Sequence, residues 1–428
     1  MMKKQRIGIL AGGGPAPGIN SVISAATIEA INSGREVVGI LDGFEHLMAG
    51  RTDLARPLKI ADVSRIHSQG GSVLGISRAN PTSDSNKLRN VVESMRKLEI
   101  DAFVSIGGED TLYASSQVAK ASDGAIRMAH VPKTIDNDLP RPGGMPTFGF
   151  ETARHVGTNQ VLNLAEEARS TKRWFIVVVM GRKAGHLALG IGMSAGATLT
   201  IIPEEFPAEQ IRLEAISSII AGSVLKRISR GQHHGVAVVA EGLVEKLGAE
   251  ELQGIPGAEI AFDPHGHMRL EEVPIGAVLR RRVSSQLAAW KQSVRVTDVG
   301  LGYTLRSAPP TPFDIDYTRT LGHGAIRFLL SEPSNGDFRD GGMVCLEAGH
   351  LRYMSIPELR DPKTGKIRTR VVDISAYHYK VARDYMIRLE PEDLEDAATL
   401  RGLATSAGVS AEELRRQFLP VVGAAVAS

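Results

Sequence analysis

Trp174-Phe175-Ile176-Val177-Val178-Val179 is apolar at every position, which excludes most folds for the chain around it. A strand with one wet face alternates in polarity; a strand with no polar position is covered on both faces. Strands of that kind belong to parallel sheets layered between helices. The run has companions in Arg6-Ile7-Gly8-Ile9-Leu10, Val37-Val38-Gly39-Ile40-Leu41, Ala102-Phe103-Val104-Ser105-Ile106, Met128-Ala129-His130-Val131 and the segment from Gly235 to Ala240. Helical spacing fits Ile19 to Asn32, Lys87 to Leu98, and about Glu151 to Arg169. Strands alternating with helices predict an α/β fold with mainly parallel sheets, right-handed crossovers and helices on both faces. At roughly 100–200 residues per domain, 428 residues predict two or three domains.

Charge and composition remove other classes. The net charge is +2, with no basic run interleaved with aromatics, so no nucleic-acid partner is expected. No apolar stretch reaches the ~18 residues of a membrane span. Met1 to Arg6 is basic, but the apolar run after it is short and ends at Gly12-Gly13-Gly14, unlike a secretory signal. Cys345 is the only cysteine, which fits a reducing, cytoplasmic setting.

Parallel α/β folds bind ligands at the carboxyl ends of their strands. Gly12 to Gly18 lies between a strand and a helix, where backbone N–H groups can cradle a phosphate. A tight structural turn explains it equally, and it matches neither common nucleotide fingerprint. Gly107-Gly108-Glu109-Asp110-Thr111 adds a carboxylate suited to Mg²⁺; the alternative is an N-cap made by Asp110 or Thr111. Pro132-Lys133-Thr134-Ile135-Asp136-Asn137-Asp138 brings together a cation, a hydroxyl and carboxylates. Asp136 is the candidate general base, Thr134 a hydrogen-bond partner for a transferring phosphoryl group, Asp138 an orienting group, and Lys133 a phosphate charge. An Asx-turn ended by Pro140 is the plainer alternative. Arg173 and Met180-Gly181-Arg182 bracket the apolar strand, and arginine makes forked contacts with phosphate. Arg78, Glu241 and Gly302-Tyr303-Thr304-Leu305-Arg306 complete a set that phosphoryl transfer requires. The stretch from Glu250 to Met268 reads as an insertion. Its His265 and His267 can ligate a metal, but a solvated loop is the preferred reading. Helical stretches follow around Ala376–Ile387 and Pro391–Ala404.

Over roughly positions 5 to 330 the chain resembles the phosphofructokinase family. Gly12 to Asn20 is similar to its first phosphate loop, Thr134 to Asp138 matches T-I-D-N-D, and Met180 to Arg182 matches M-G-R. The resemblance implies two Rossmann-like lobes with the active site in the cleft between them. It makes Asp136 the base for the 1-hydroxyl of fructose 6-phosphate. Thr134, Met180, Gly181, Arg182 and Glu241 would contact the sugar, and Tyr303 and Arg306 its 6-phosphate. Arg173 would reach a neighbouring subunit's site in a homodimer or higher oligomer. Arg295 is the candidate second substrate arginine. Gly13, Arg78, Asp110, Thr111 and Lys133 would face the phosphoryl donor, and Glu109 the Mg²⁺.

ATP-using members resemble G-G-D-G-[ST] and P-G-T-I-D-N-D. Asp110 and Lys133 replace a glycine in each pattern, which resembles the pyrophosphate-dependent class. A carboxylate at 110 would repel a nucleotide α-phosphate, and Lys133 would bind the smaller anion. Ala114 replaces another glycine common in ATP users. Ser24, Ile28 and Thr198 stand where allosteric members carry effector-site charges, so no effector control is expected. ATP as donor and sedoheptulose 7-phosphate as acceptor are the alternatives. Outside this chemistry, a regulatory subunit would have lost the base and the cation clamp, and an oxidoreductase would need a dinucleotide fingerprint. The expected domains are a donor lobe over 1–147, completed by about 304–350, and a sugar-phosphate lobe over 148–303 with an insertion at about 250–272. A helical extension over 351–428 would follow.

Overall fold

The structure is a computed structural model that describes residues 6–206, 211–331, 338–339, 341–363, 365 and 367–424. The chain divides into two compact units. The first comprises Met1–Ala153, Phe262–His267 and Tyr303–Arg370; the second comprises Arg154–Ala261, Met268–Gly302 and Val371–Ser428.

The first unit is built on a seven-stranded sheet. Its strands are β1 (Arg6–Ala11), β2 (Glu36–Ile40), β3 (Ala55–Pro57), β4 (Ile100–Gly107), β5 (Arg127–Pro132), and, after the second unit's strands in the chain, β10 (Gly342–Glu347) and β11 (His350–Ser355). The order is β11-β10-β5-β4-β1-β2-β3. The five inner strands run parallel, and β3 and β11 pair antiparallel at the two edges. The helix Ile19–Asn32 has the bounds its spacing predicts. Inside the sheet the neutral His130 ring ties β4 to β5, its Nδ1 at 2.8 Å from Ser105 Oγ and its Nε2 at 3.0 Å from the Gly107 carbonyl. Burial pushes that imidazole down to about 3, so its hydrogen bonds are those of one fixed tautomer.

The second unit has a four-stranded, wholly parallel sheet of β6 (Arg173–Val179), β7 (Leu199–Ile201), β8 (Gly235–Ala240) and β9 (Arg295–Leu301), ordered β7-β8-β6-β9. Trp174, Ile176 and Val177 are fully buried, as the apolar run requires. Helices Leu213–Ile228 and Ile275–Ala289 contribute to the same core. The C-terminal helices are part of it too: Leu389, Leu394, Leu403, Leu414 and Phe418 are buried there.

One ion pair anchors that C-terminal segment. Arg388 Nη1 donates to Glu205 Oε2 at 2.6 Å, both side chains being 2% exposed. Removing one member of such a pair strands the other in a dry interior. Arg388→Met should therefore destabilise the second unit by about 3–5 kcal/mol, read as a fall in the urea midpoint. Replacing both residues by Met and Leu should cost less than Arg388→Met alone.

Candidate active site

The register of the first sheet sets where its loops emerge. Ala11 pairs with Ile106, and Gly107 with Pro132. β1, β4 and β5 therefore end side by side, and the segments beginning at Gly12, Gly108 and Lys133 leave from one edge. Gly12 N–H donates to the Ile106 carbonyl at 2.9 Å, and Gly13 N–H to the Ser77 carbonyl at 2.8 Å, which brings the Ser77-Arg78 segment alongside.

Packing over the glycines explains their size. A Cβ on Gly12 would lie 2.7 Å from Thr111 Oγ1, on Gly13 3.3 Å from Lys133 Nζ, and on Gly14 2.8 Å from Arg306 Nη1. Gly13 also has φ +86°, where side chains are strained. The glycines make a turn of close approach: the chain gives up side chains so that Thr111, Lys133 and Arg306 can stand against its backbone.

Lys133 Nζ donates to the Gly14 carbonyl. Its side chain is 5% exposed. Burial, helped by the Arg306 charge and opposed by Asp136, lowers its ammonium to about 8. The Arg306 guanidinium lies over the Tyr303 ring at 4.7 Å. Arg306 Nε is buried without a hydrogen-bond partner among the described residues. Tyr303 itself is exposed.

The Thr134–Asp138 segment is held by hydrogen bonds to side chains rather than by a regular element. Thr134 Oγ1 accepts from Asp136 N–H at 3.0 Å, and the Thr134 carbonyl accepts from Thr147 Oγ1 at 2.6 Å. Asn137, at φ +59°, accepts at Oδ1 from Arg141 (2.9 Å), Thr147 N–H (3.0 Å) and Arg370 (3.3 Å). Arg370 N–H closes the segment on the Asp138 carbonyl at 2.7 Å.

Glu109 begins the helix Glu109–Ala121; its N-cap is Gly108, with no side-chain cap. Asp110 and Thr111 therefore lie inside the first turn and do not cap it. The insertion differs from its expected form as well. His265 and His267 sit in no solvated loop: their side chains are 12% and 25% exposed and face Asp110. Among the described residues no cluster of three or more His, Cys, Asp or Glu forms a metal cage.

In the second unit, β6, β8 and β9 also end together, with Val179 beside Ala240 and Leu301. Met180 N–H donates to the Leu301 carbonyl at 2.9 Å. A Cβ on Gly242 would lie 2.4 Å from the Arg182 carbonyl and 2.9 Å from that of Gly181. Met180, Gly181, Arg182 and the buried Glu241 are so gathered at one edge. Arg173 and Arg295 are not with them. They pair across β6 and β9 at the opposite, amino-terminal ends, about 20 Å away along a seven-residue strand.

Residues 6–329 match the family model described as Phosphofructokinase. The chain belongs to the phosphofructokinase family. It is 53% identical over 416 residues to the pyrophosphate–fructose 6-phosphate 1-phosphotransferase of Thermotoga maritima, covering 97% of this chain and 98% of that one. The enzyme of the same name from Naegleria fowleri is 46% identical, covering 96% and 94%. In fold, the crystal structure of a pyrophosphate-dependent phosphofructokinase from Nitrosospira multiformis aligns with TM-score 0.66 at 16% identity, over 89% of this chain and 90% of that one.

In this phosphofructokinase the sequence reading assigned no role to Asn137, Asp263 or Arg370, and His267, expected in a solvated loop, instead faces Asp110. Asn137 had a signal, since asparagine tolerates positive φ within a turn. The other three act through contacts more than a hundred residues away, which no local pattern reports.

Proposed function

We propose that this phosphofructokinase transfers a phosphoryl group from pyrophosphate to the 1-hydroxyl of fructose 6-phosphate, giving fructose 1,6-bisphosphate and phosphate. One observation carries the donor assignment: a buried lysine, Lys133, stands over the first glycine loop. Asp110, at a position where the resemblance gives ATP users glycine, supports it. The names of the Thermotoga maritima and Naegleria fowleri relatives agree.

Asp136 takes the proton as the hydroxyl oxygen attacks. The new P–O bond forms while the bridging P–O bond breaks, and phosphate leaves with the bond electrons. Lys133, Arg78 and the Gly13 backbone hold the donor; charge on its oxygens is met by fixed cations, the main resource in this chemistry. Thr134 orients the transferring group, and Asp138 supports Asp136. Met180, Gly181, Arg182 and Glu241 bind the sugar, with Tyr303 and Arg306 on its 6-phosphate. Mg²⁺ typically keeps water and substrate phosphates as ligands and needs only one or two carboxylates; Glu109 suits that role. Bound there, the ion would neutralise phosphate charge.

Arg173 and Arg295 stand too far along their strands to join Arg182 from the same chain. Their side-by-side placement supports a homodimer in which both reach a neighbouring subunit's sugar phosphate. A lone cysteine, Cys345, and the uncharged Ser24, Ile28 and Thr198 support a cytoplasmic, non-allosteric enzyme. Among the described residues no helix is long and apolar enough to cross a membrane.

The test is turnover of purified protein with fructose 6-phosphate and Mg²⁺, supplied with either pyrophosphate or ATP. Turnover with pyrophosphate is expected. Turnover with ATP alone would overturn the donor assignment.

A further inference from the structure

The six residues Phe262–His267 come from the middle of the second unit's sequence yet belong to the first unit. They form a turn locked by its own backbone. Asp263 Oδ1 accepts from the N–H groups of His265 and His267, each at 3.0 Å. Asp263 N–H donates to the His267 carbonyl at 2.8 Å. Gly266 supplies the left-handed step, φ +81°.

Its contacts with the rest of the unit go to one place. Asp263 Oδ2 accepts from Arg78 Nη1 at 3.4 Å, with the aspartate side chain 3% exposed. Asn80 Nδ2 donates to the Pro264 carbonyl at 3.3 Å. His267 Nε2 lies 3.2 Å from Asp110 Oδ1, and His265 Nδ1 lies 3.9 Å from the same oxygen. An ionised carboxylate only accepts, so the imidazole N–H is the donor. Two of the three anchor residues, Arg78 and Asp110, are donor residues of the proposed reaction.

We propose that the 262–267 turn is a donor-selecting clasp, in which His267 positions Asp110 and Asp263 positions Arg78. The inference rests on the donor reading above and deepens it. A carboxylate free to swing costs an incoming anion little, because it can turn away or be screened by water. The same carboxylate held in place imposes its full like-charge repulsion on any phosphate beyond the second. A diphosphate ends before that point; a nucleoside triphosphate does not. Fixing Arg78 serves the other half of the selection, since a pre-aimed guanidinium loses less freedom when it grips the small donor.

The experiment uses the full chain and measures kcat and KM for pyrophosphate, ATP and fructose 6-phosphate. His267→Ala should raise the pyrophosphate KM about tenfold. It should also raise ATP turnover relative to pyrophosphate turnover, and shift the fructose 6-phosphate KM by less than about twofold. His267→Gln, which keeps a donor near Nε2, should restore most of the pyrophosphate KM. Asn80→Ala loosens the turn without touching a donor residue and should raise the same KM about threefold. An unchanged pyrophosphate KM in both alanine variants would overturn the clasp, as would equal rises for donor and sugar. The wild-type assay reports on the donor reading separately: ATP-only turnover would overturn that reading, while the variants' donor-against-sugar KM split still decides the clasp.

Discussion

Asp136→Asn should lower kcat about a thousandfold while leaving both KM values within a few-fold. The amide copies the carboxylate's shape but does not take a proton at neutral pH. Asp136 gives its backbone N–H, not its carboxylate, to Thr134 Oγ1, and the segment is pinned through Asn137 and Arg370. The substitution should therefore change chemistry without moving the loop. Steady-state rates at saturating substrates decide it; a variant with near-full kcat would remove Asp136 as the base. Asn137→Ala offers the contrast. It releases three hydrogen bonds at once and should impair binding along with rate.

Lys133 carries the second large effect. Lys133→Met should raise the pyrophosphate KM about a hundredfold, the scale for deleting one member of a buried charge contact. The same residue sets a pH dependence. Only the ammonium binds an anion, and in the free protein it titrates at about 8. The pyrophosphate KM should be flat below that pH and rise up to tenfold per unit above it, until the bound state also deprotonates. Lys133→Met should flatten the profile. Changing Lys133 and Asp110 together to glycine should abolish use of pyrophosphate and open the site toward ATP. Retention of wild-type pyrophosphate kinetics by that double variant would refute their role in donor choice.

The strands were legible because burial on both faces leaves no polar position to interrupt them. β8 has the bounds read from the sequence, and β6 begins one residue earlier, at Arg173. The glycine loops were legible as places of close approach, but not what approached them: Thr111, Lys133 and Arg306 arrive from three other parts of the chain. Arg173 and Arg295 showed as separate basic residues in sequence; only the β6–β9 register makes them neighbours. The insertion was misread because a Gly-, Pro- and His-rich stretch looks solvated, and its partner Asp110 lies 157 positions away. The C-terminal helices were visible by spacing, but the Arg388–Glu205 pair spans 183 positions, so their place in the second core was not.

The way the chain shares itself between the units bears on biosynthesis. After 302 residues have left the ribosome, neither unit is finished. The first still lacks Tyr303–Arg370, including β10 and β11, and the second lacks Val371–Ser428 with Phe418 and the partner of Glu205. Domains ordinarily fold in turn as they emerge. Here the earlier unit must wait with an open sheet edge at β5 until Tyr303–Arg370 follows, and the later one with Glu205 lacking Arg388 until Val371–Ser428 follows. A truncated product would complete at most one of the two.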